Sequence, residues 1–144
     1  MMVTGILLVG TAGRQVGIPL GDVIAVTEVG AVSRVPASSP AVRGVTVARG
    51  RLVTLLHLGA LLSGEACPEG APSSTVVLAS AGGTTIALEV DEADTIPGVM
   101  MLAPPEGSKF AGWALGAIRR GQGWIPILNL EALVAQWRAR EAGV

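Results

Sequence analysis

The chain has 144 residues, with 10 basic and 11 acidic side chains and a formal net charge of −1, the size of one ordinary domain. Half of its residues are hydrophobic and only 15% are charged, so it can bury a core, which excludes global disorder. The near-neutral balance leaves no excess of Lys and Arg for phosphates and argues against nucleic acid; a single Cys and a single His exclude a disulfide framework and a Cys/His zinc site.

The mean hydropathy of +0.59 raises the question of a membrane span. A span needs about 20 predominantly apolar residues. The uncharged stretch Ala71–Leu88 is interrupted by Ser, Thr, Gly and Pro, and Leu52–Leu62 is too short and contains His57. The N-terminus has no basic region and only a short apolar run, unlike a secretory signal. A soluble, cytoplasmic protein without direct membrane insertion is expected. Its 20 Gly and 9 Pro favour short strands joined by tight turns.

In chain order, Met2–Gly10 and Arg14–Pro19 flank a turn and read as a hairpin, followed by a strand at Val23–Val29 and a loop at Pro36–Pro40. Val42–Ala48 and Leu52–Leu56 flank Arg49-Gly50-Arg51 as a second hairpin. His57–Leu62 has one or two helical turns, and Ser63–Ser74 reads as a linker. Thr75–Ala79 with Thr84–Val90, and Gly112–Arg119 with Trp124–Leu128, form the third and fourth hairpins, with a loop at Met100–Ser108 between them. Leu130, Leu133, Val134 and Trp137 then fall at i, i+3, i+4 and i+7, an amphipathic helix with Asn129 as its N-cap.

An internal repeat organises these elements. Gly44–Leu62 matches Gly116–Val134 at a shift of 72 residues: Gly44 meets Gly116, Leu56, Leu58, Ala60 and Leu61 meet Leu128, Leu130, Ala132 and Leu133, and His57 meets Asn129. A weaker match at a shift of 69 aligns Ala12, Gly13 and Asp22 with Ala81, Gly82 and Asp91. The period suits a duplicated small barrel: an all-β chain of two β-barrel lobes of about five strands each.

The groups able to do chemistry are few. Asp91-Glu92-Ala93-Asp94 spells a helicase motif, but no phosphate-binding loop accompanies it, and it reads as an acidic turn ending a strand. Cys67 lies in the Gly/Pro/Ser linker, and His57 fills the capping slot of Asn129, so a Cys–His nucleophile is disfavoured. Gly10, Gly13 and Gly17 sit in a hairpin and serve turns, not a phosphate. Arg43, Arg49 and Arg51 cluster on one hairpin and Arg119 and Arg120 on its counterpart; with aromatics at 3% of the chain, a protein interface suits them better than a nucleic acid. Trp113, Trp124 and Trp137 are read as packing residues. With no carboxylate pair, metal set or triad, the inventory favours a binding module over an enzyme, with no cofactor, no metal and no catalytic residues.

The stretch Pro40–Leu62, PAVRGVTVARGRLVTLLHLGALL, resembles the CheW family of bacterial chemotaxis coupling proteins. The family pattern there is a loop proline followed by G-V-x-N-x-R-G-x-x-V-P-V-x-D-L, met at Gly44, Val45, Arg49, Gly50, Val53 and Leu58. Leu88–Ala93 approximates the strand-ending V-D signature of the family, and Gly116–Leu133 its closing hairpin and helix. The resemblance implies two intertwined five-stranded SH3/OB-like barrels, with short helices and a C-terminal helix. One subdomain would span about 15–66 and the other about 1–14 plus 74–144. It further implies a non-catalytic adaptor that binds the regulatory domain of the histidine kinase CheA and the cytoplasmic tip of a chemoreceptor. The matching partner-binding positions are Val23 and Ile24 on the third strand, then Gly44, Val45, Arg49 and Gly50 around the second hairpin.

This chain departs from the pattern at Val47 (Asn in the family), Thr54 (Pro), His57 (Asp) and Ala25 (often acidic), so Arg49 needs another partner, such as Glu28, Asp22 or a group on another protein. Two alternatives are therefore carried: a divergent paralogue serving another receptor–kinase pathway such as twitching motility, and a small-ligand-binding barrel protein with its site between the lobes.

Overall fold

The computed structural model describes residues 2–34, 40–70, 72–101 and 113–142. Apart from Pro40, the loop read at 36–40 lies outside these residues, as does the part of the 100–108 loop beyond Met101. The described elements are β1 (Met2–Thr11), β2 (Arg14–Pro19), a 3-10 turn (Leu20–Asp22), β3 (Val23–Glu28), β4 (Val32–Ser33), β5 (Val42–Ala48), β6 (Arg51–His57) and α1 (Leu58–Ser63). After these come β7 (Thr75–Ala81), β8 (Thr84–Val90), β9 (Glu92–Met100), β10 (Ala114–Arg120), β11 (Gly123–Leu128) and α2 (Leu130–Ala142).

All four hairpins form. The acidic run is not simply the end of a strand: Asp91 is a bend, and Glu92 opens the nine-residue β9. β4, two residues long, is an addition that no sequence pattern announces.

The strands make two sheets, β10-β11-β2-β1-β9 and β3-β7-β8-β6-β5-β4. Their order shows what the duplication built. The first half supplies β3 to β6 to the six-stranded sheet but lends its hairpin β1–β2 to the other sheet. The second half lends β7–β8 in return. The equivalent seams agree: parallel pairing joins β6 to β8 at Leu55↔Ala87 and β11 to β2 at Ile127↔Gly17. Antiparallel pairing joins β3 to β7 and β9 to β1 in the same way. Even the bulges repeat, between Val42 and Gly44 and between Ala114 and Gly116, at the shift of 72 found in the sequence. The lent hairpins align at a shift of 70, since Thr11↔Arg14 corresponds to Ala81↔Thr84, so the upstream register of 69 holds only from Asp22 and Asp91 onward.

Among the described residues neither sheet closes by pairing. The six-stranded one is closed by the chain itself: residues 29–31 run from β3 at one edge to β4 at the other and span at most roughly 14 Å. Val29 N–H donates to Ser74 O, and the Thr46 hydroxyl donates to Ala31 O.

Three apolar clusters follow from the alternation of side chains along strands. Val53, Leu55, Val76, Leu78 and Ala87 fill the six-stranded lobe, and Ile6, Leu8, Ile118, Ile125 and Ile127 fill the other. The opposite faces, with Leu7, Val9, Leu56, Val77, Leu88 and Leu128, meet in the largest cluster, between the lobes. The lent hairpins are thus buried on both faces, which explains their nearly continuous apolar runs. α2 seals this central cluster with Leu130, Leu133 and Val134, Trp137 packs against it, and the Asn129 side chain accepts from Ala132 N–H at 3.1 Å as the expected cap.

A buried ion pair ties the connection between the halves to this core. Arg43 Nε donates to Glu89 Oε1 at 2.8 Å, with side chains only 9% and 2% exposed. The guanidinium also donates to the carbonyls of Pro68 and Gly70, while Glu89 accepts Ser73 N–H at 3.0 Å. Pro68, Gly70 and Ser73 are therefore held by a charge pair contributed by two strands, β5 and β8. Removing one partner from a buried pair costs about 3–5 kcal/mol, because the other charge stays desolvated. Glu89→Ala is expected to lose that much in urea unfolding, and Glu89→Met combined with Arg43→Met much less than the sum of the two single changes. Additive losses would show that the two side chains do not act as a pair.

Candidate functional site

The partner-binding positions expected from the sequence fall into two groups. Gly44, Val45, Arg49 and Gly50 lie on the β5–β6 hairpin. Val23 and Ile24 begin β3, the far edge strand in the order of the same sheet. The hairpin ends in a two-residue turn in which Arg49 (φ 52°) and Gly50 (φ 77°) both have positive φ. This is the signature of the turn that follows the natural twist of a hairpin. It places Arg49 at the exposed tip of the hairpin. Arg49 is exposed, and among the described residues no ion pair or side-chain hydrogen bond engages it, so neither Glu28 nor Asp22 serves as its partner.

Gly44 has a different character. It is buried at the bulge with φ 149°, and a Cβ there would meet Ser33 O at 2.2 Å. Its missing side chain is what lets β4 lie against β5, so its part in any surface is to shape it. Val45 is half-buried, opposite Thr54. Sequence reasoning overlooked the neighbouring pair Val47↔Leu52, which lies on the same face and is 64% and 69% exposed. The signal was available, because both residues alternate with the inward-facing Thr46 and Val53. On β3, Ile24 and Val26 are also exposed, while Ala25 turns inward against the core.

His57 and Cys67 do not form a nucleophile pair. Nδ1 of His57 accepts Ala60 N–H at 2.9 Å and caps α1, and Nε2 faces Glu89 Oε2 at 3.9 Å. The Cys67 thiol donates to Pro40 O at 3.0 Å, and burial pushes its pKa up, which favours the unreactive thiol. Arg43, read beside Arg49 as an interface residue, is instead the buried partner of Glu89. Trp124 is only half-buried and carries the Arg119 guanidinium over its ring at 5.4 Å. A cleft of about 420 Å³ lies between the β1–β2 turn and the β10–β11 hairpin, with Arg14, Gln15, Arg120 and Trp124 on its walls. The space between the lobes is filled by apolar side chains. Among the described residues no three His, Cys, Asp or Glu side chains gather as a metal set, and no helix is long and apolar enough to cross a membrane.

His57 makes stability pH-dependent. Its cap requires a neutral ring with Nδ1 unprotonated. Burial holds the pKa below the ordinary 6.5, and the nearby Arg43 adds to this while Glu89 and Asp91 oppose it. A pKa lowered on folding means that this contribution is complete above about pH 6.5 and is lost as pH falls toward the folded value. His57→Asn supplies the same acceptor that Asn129 provides, without a titrating ring. The stability difference between the variant and the parent, measured at pH 7.5 and again at pH 5, should move in favour of the variant at the lower pH. A constant difference would mean that His57 does not titrate on unfolding.

Among curated proteins no sequence matches this chain. Among solved structures, it superposes on the crystal structure of the scaffolding protein TtCheW from Thermoanaerobacter tengcongensis with a TM-score of 0.77. The match covers 91% of this chain and 92% of that one at 19% identity, which establishes a shared fold. The model of the CheW-like domain matches residues 5–137, nearly the whole chain. The chain belongs to the CheW-like domain family.

Proposed function

We propose that the protein is a non-catalytic adaptor that couples the cytoplasmic tips of chemoreceptors to the regulatory domain of the histidine kinase CheA. Membership of the CheW-like family across residues 5–137 is the observation that carries this reading. The surface assigned to partners comprises Val23 and Ile24 on β3, and Val45, Arg49 and Gly50 on the β5–β6 hairpin, with Gly44 setting the path of β5. Its chemistry suits a protein partner. Exposed apolar side chains flank an arginine that has no ion pair among the described residues, and such a patch gains affinity by burial and register by charge. A pathway other than chemotaxis, served by a paralogue, would use the same surface with a different kinase or receptor.

Titration calorimetry against the CheA regulatory domain from the same genome tests the reading, with saturable one-to-one binding expected. Arg49→Asn then separates interface from structure. Asn-Gly is the preferred dipeptide for this turn, and Asn tolerates positive φ better than Arg, so stability should rise by up to about 1 kcal/mol. Binding should weaken about tenfold, or roughly 1.4 kcal/mol. No heat of binding with folded partners would refute the CheA assignment, and unchanged affinity in the variant would remove Arg49 from the surface.

A further inference from the structure

One buried carboxylate joins two anchors of the chain. Glu89, on β8, faces His57 across the parallel seam with β6, and both side chains are buried. Oε1 of Glu89 accepts Arg43 Nε at 2.8 Å, while Oε2 accepts Arg43 Nη2 at 3.2 Å and Ser73 N–H at 3.0 Å. Nε2 of His57 stands 3.9 Å from the same Oε2, and Nδ1 of the same ring accepts Ala60 N–H at 2.9 Å. Ala60 lies in the first turn of α1. Ser73 lies near the end of the connection from α1 to β7, a strap that Arg43 also holds by the Pro68 and Gly70 carbonyls. The start of α1 and the end of the strap therefore depend on groups that meet at one imidazole.

A proton on that imidazole acts at both places. Nδ1–H has no lone pair for Ala60 N–H, so α1 loses its cap. α1 has only six residues, too few to persist without its cap and its packing. The charged Nε2–H draws on Oε2, the oxygen that holds Ser73. The charged groups facing the ring are Glu89 on β8, Asp91 at the bend after it and Arg43 on β5. Cys67, beside the His57 backbone, adds a thiol that burial keeps neutral. Arg43 already compensates Glu89, so the proton brings a second cation to a carboxylate in use. Burial, with Arg43 acting in the same direction, holds the folded ring below the ordinary 6.5. The other half has no such coupling: Asn129 caps α2 with a group that does not titrate, and Pro19 stands in the place of Glu89.

We propose that His57 is an acid-sensitive latch: one proton on its ring releases the start of α1 and the Ser73 end of the strap together, while both lobes stay folded. The proposal does not rest on the adaptor reading. Its sign follows from linkage. Opening frees the ring to take its proton at the ordinary pKa, so opening grows as pH falls below about 6.5, by up to roughly tenfold per pH unit until the folded value is reached.

Amide hydrogen exchange of the full chain, followed by NMR at pH 7.5 and pH 5.5 with each rate divided by its intrinsic rate, is the test. Relative to the Ala132 amide on its Asn129 cap, protection of the Ala60 and Ser73 amides should fall by about five- to tenfold at the lower pH. His57→Asn keeps an acceptor for Ala60 and removes the proton, so both responses should vanish in that variant. In the parent, the His57 ring signals should titrate with the midpoint at which the two amides respond, a check that needs no substitution. A response at Ala60 without one at Ser73 would overturn the latch and leave only a cap. Equal loss at Ala132, a response that survives in His57→Asn, or a ring midpoint unlike that of the amides would overturn it as well.

Discussion

Everything in this molecule depends on the exchange of hairpins between its two halves. The six-stranded sheet needs β7 and β8 from the second half, and the five-stranded sheet needs β1 and β2 from the first. The exchanged strand β1 sends alternate side chains into its host lobe and into the central cluster, Ile6 and Leu8 to one, Leu7 and Val9 to the other, and β7 does the same with Val76 and Leu78 against Val77 and Ala79. Burial of these side chains, about 1.5–3 kcal/mol for a fully buried Leu or Ile, cannot occur in one half without the other. The two lobes are therefore a single folding unit in energetic terms, although each has its own interior. The exchange also explains the tight tolerances at the parallel seams. Gly17 meets Ile127 across one of them, and a Cβ at Gly17 would come within 2.5 Å of the Ile127 side chain.

Duplication then left each half free to diverge wherever the exchange did not constrain it. The capping position is preserved in function but not in residue, since His57 and Asn129 both accept the backbone N–H three residues on. The position facing it across the seam was not preserved. Glu89 pairs with His57 in the first half, and its partner Arg43 holds the strap. The second half has Pro19 and Leu115 in those places. A buried pair of this kind contributes little net stability compared with apolar substitutes. Its evident effect is positional: it sets where the connection between α1 and β7 runs, and so how β7–β8 reaches the sheet it joins.

Most of the fold was legible because its signals are local. Two-residue turns, alternating apolar runs, an Asn cap and a helical i, i+3, i+4, i+7 spacing each act within a few residues. The repeat added the long-range fact that the halves are equivalent. What stayed hidden is what only pairing decides. No pattern in β1 or β2 says which half will host them, because an apolar run buried on both faces fits either sheet. β9 begins in charged residues and contains Pro97, so it does not read as a strand, yet as an edge strand paired only to β1 it tolerates both. The Arg43–Glu89 pair joins residues 46 apart, and its one trace is a lone acid inside the apolar run Ile86–Val90. At the candidate site, Arg49 and Gly50 were legible as a turn, whereas Gly44 read as surface and proved to be a steric requirement of β4.

A duplicated fold is well suited to holding several partners because its halves share a scaffold without sharing a surface. At the same hairpin position the first half presents exposed Val47 and Leu52 with Arg49 at the tip, and the second presents Arg119 stacked over Trp124 with Gly121 at the turn. One is an apolar patch with a cation that has no ion pair among the described residues, the other an aromatic already covered by its own cation. Two such ends, held by common seams and a continuous core, present different chemistry on one scaffold. They keep a fixed distance and orientation because the hairpins that support them are anchored in each other's lobes. Flexible joining of two barrels would supply the same two surfaces but not their geometry. The exchange supplies both, so the constraint that makes the fold indivisible also holds the two hairpin ends on one scaffold.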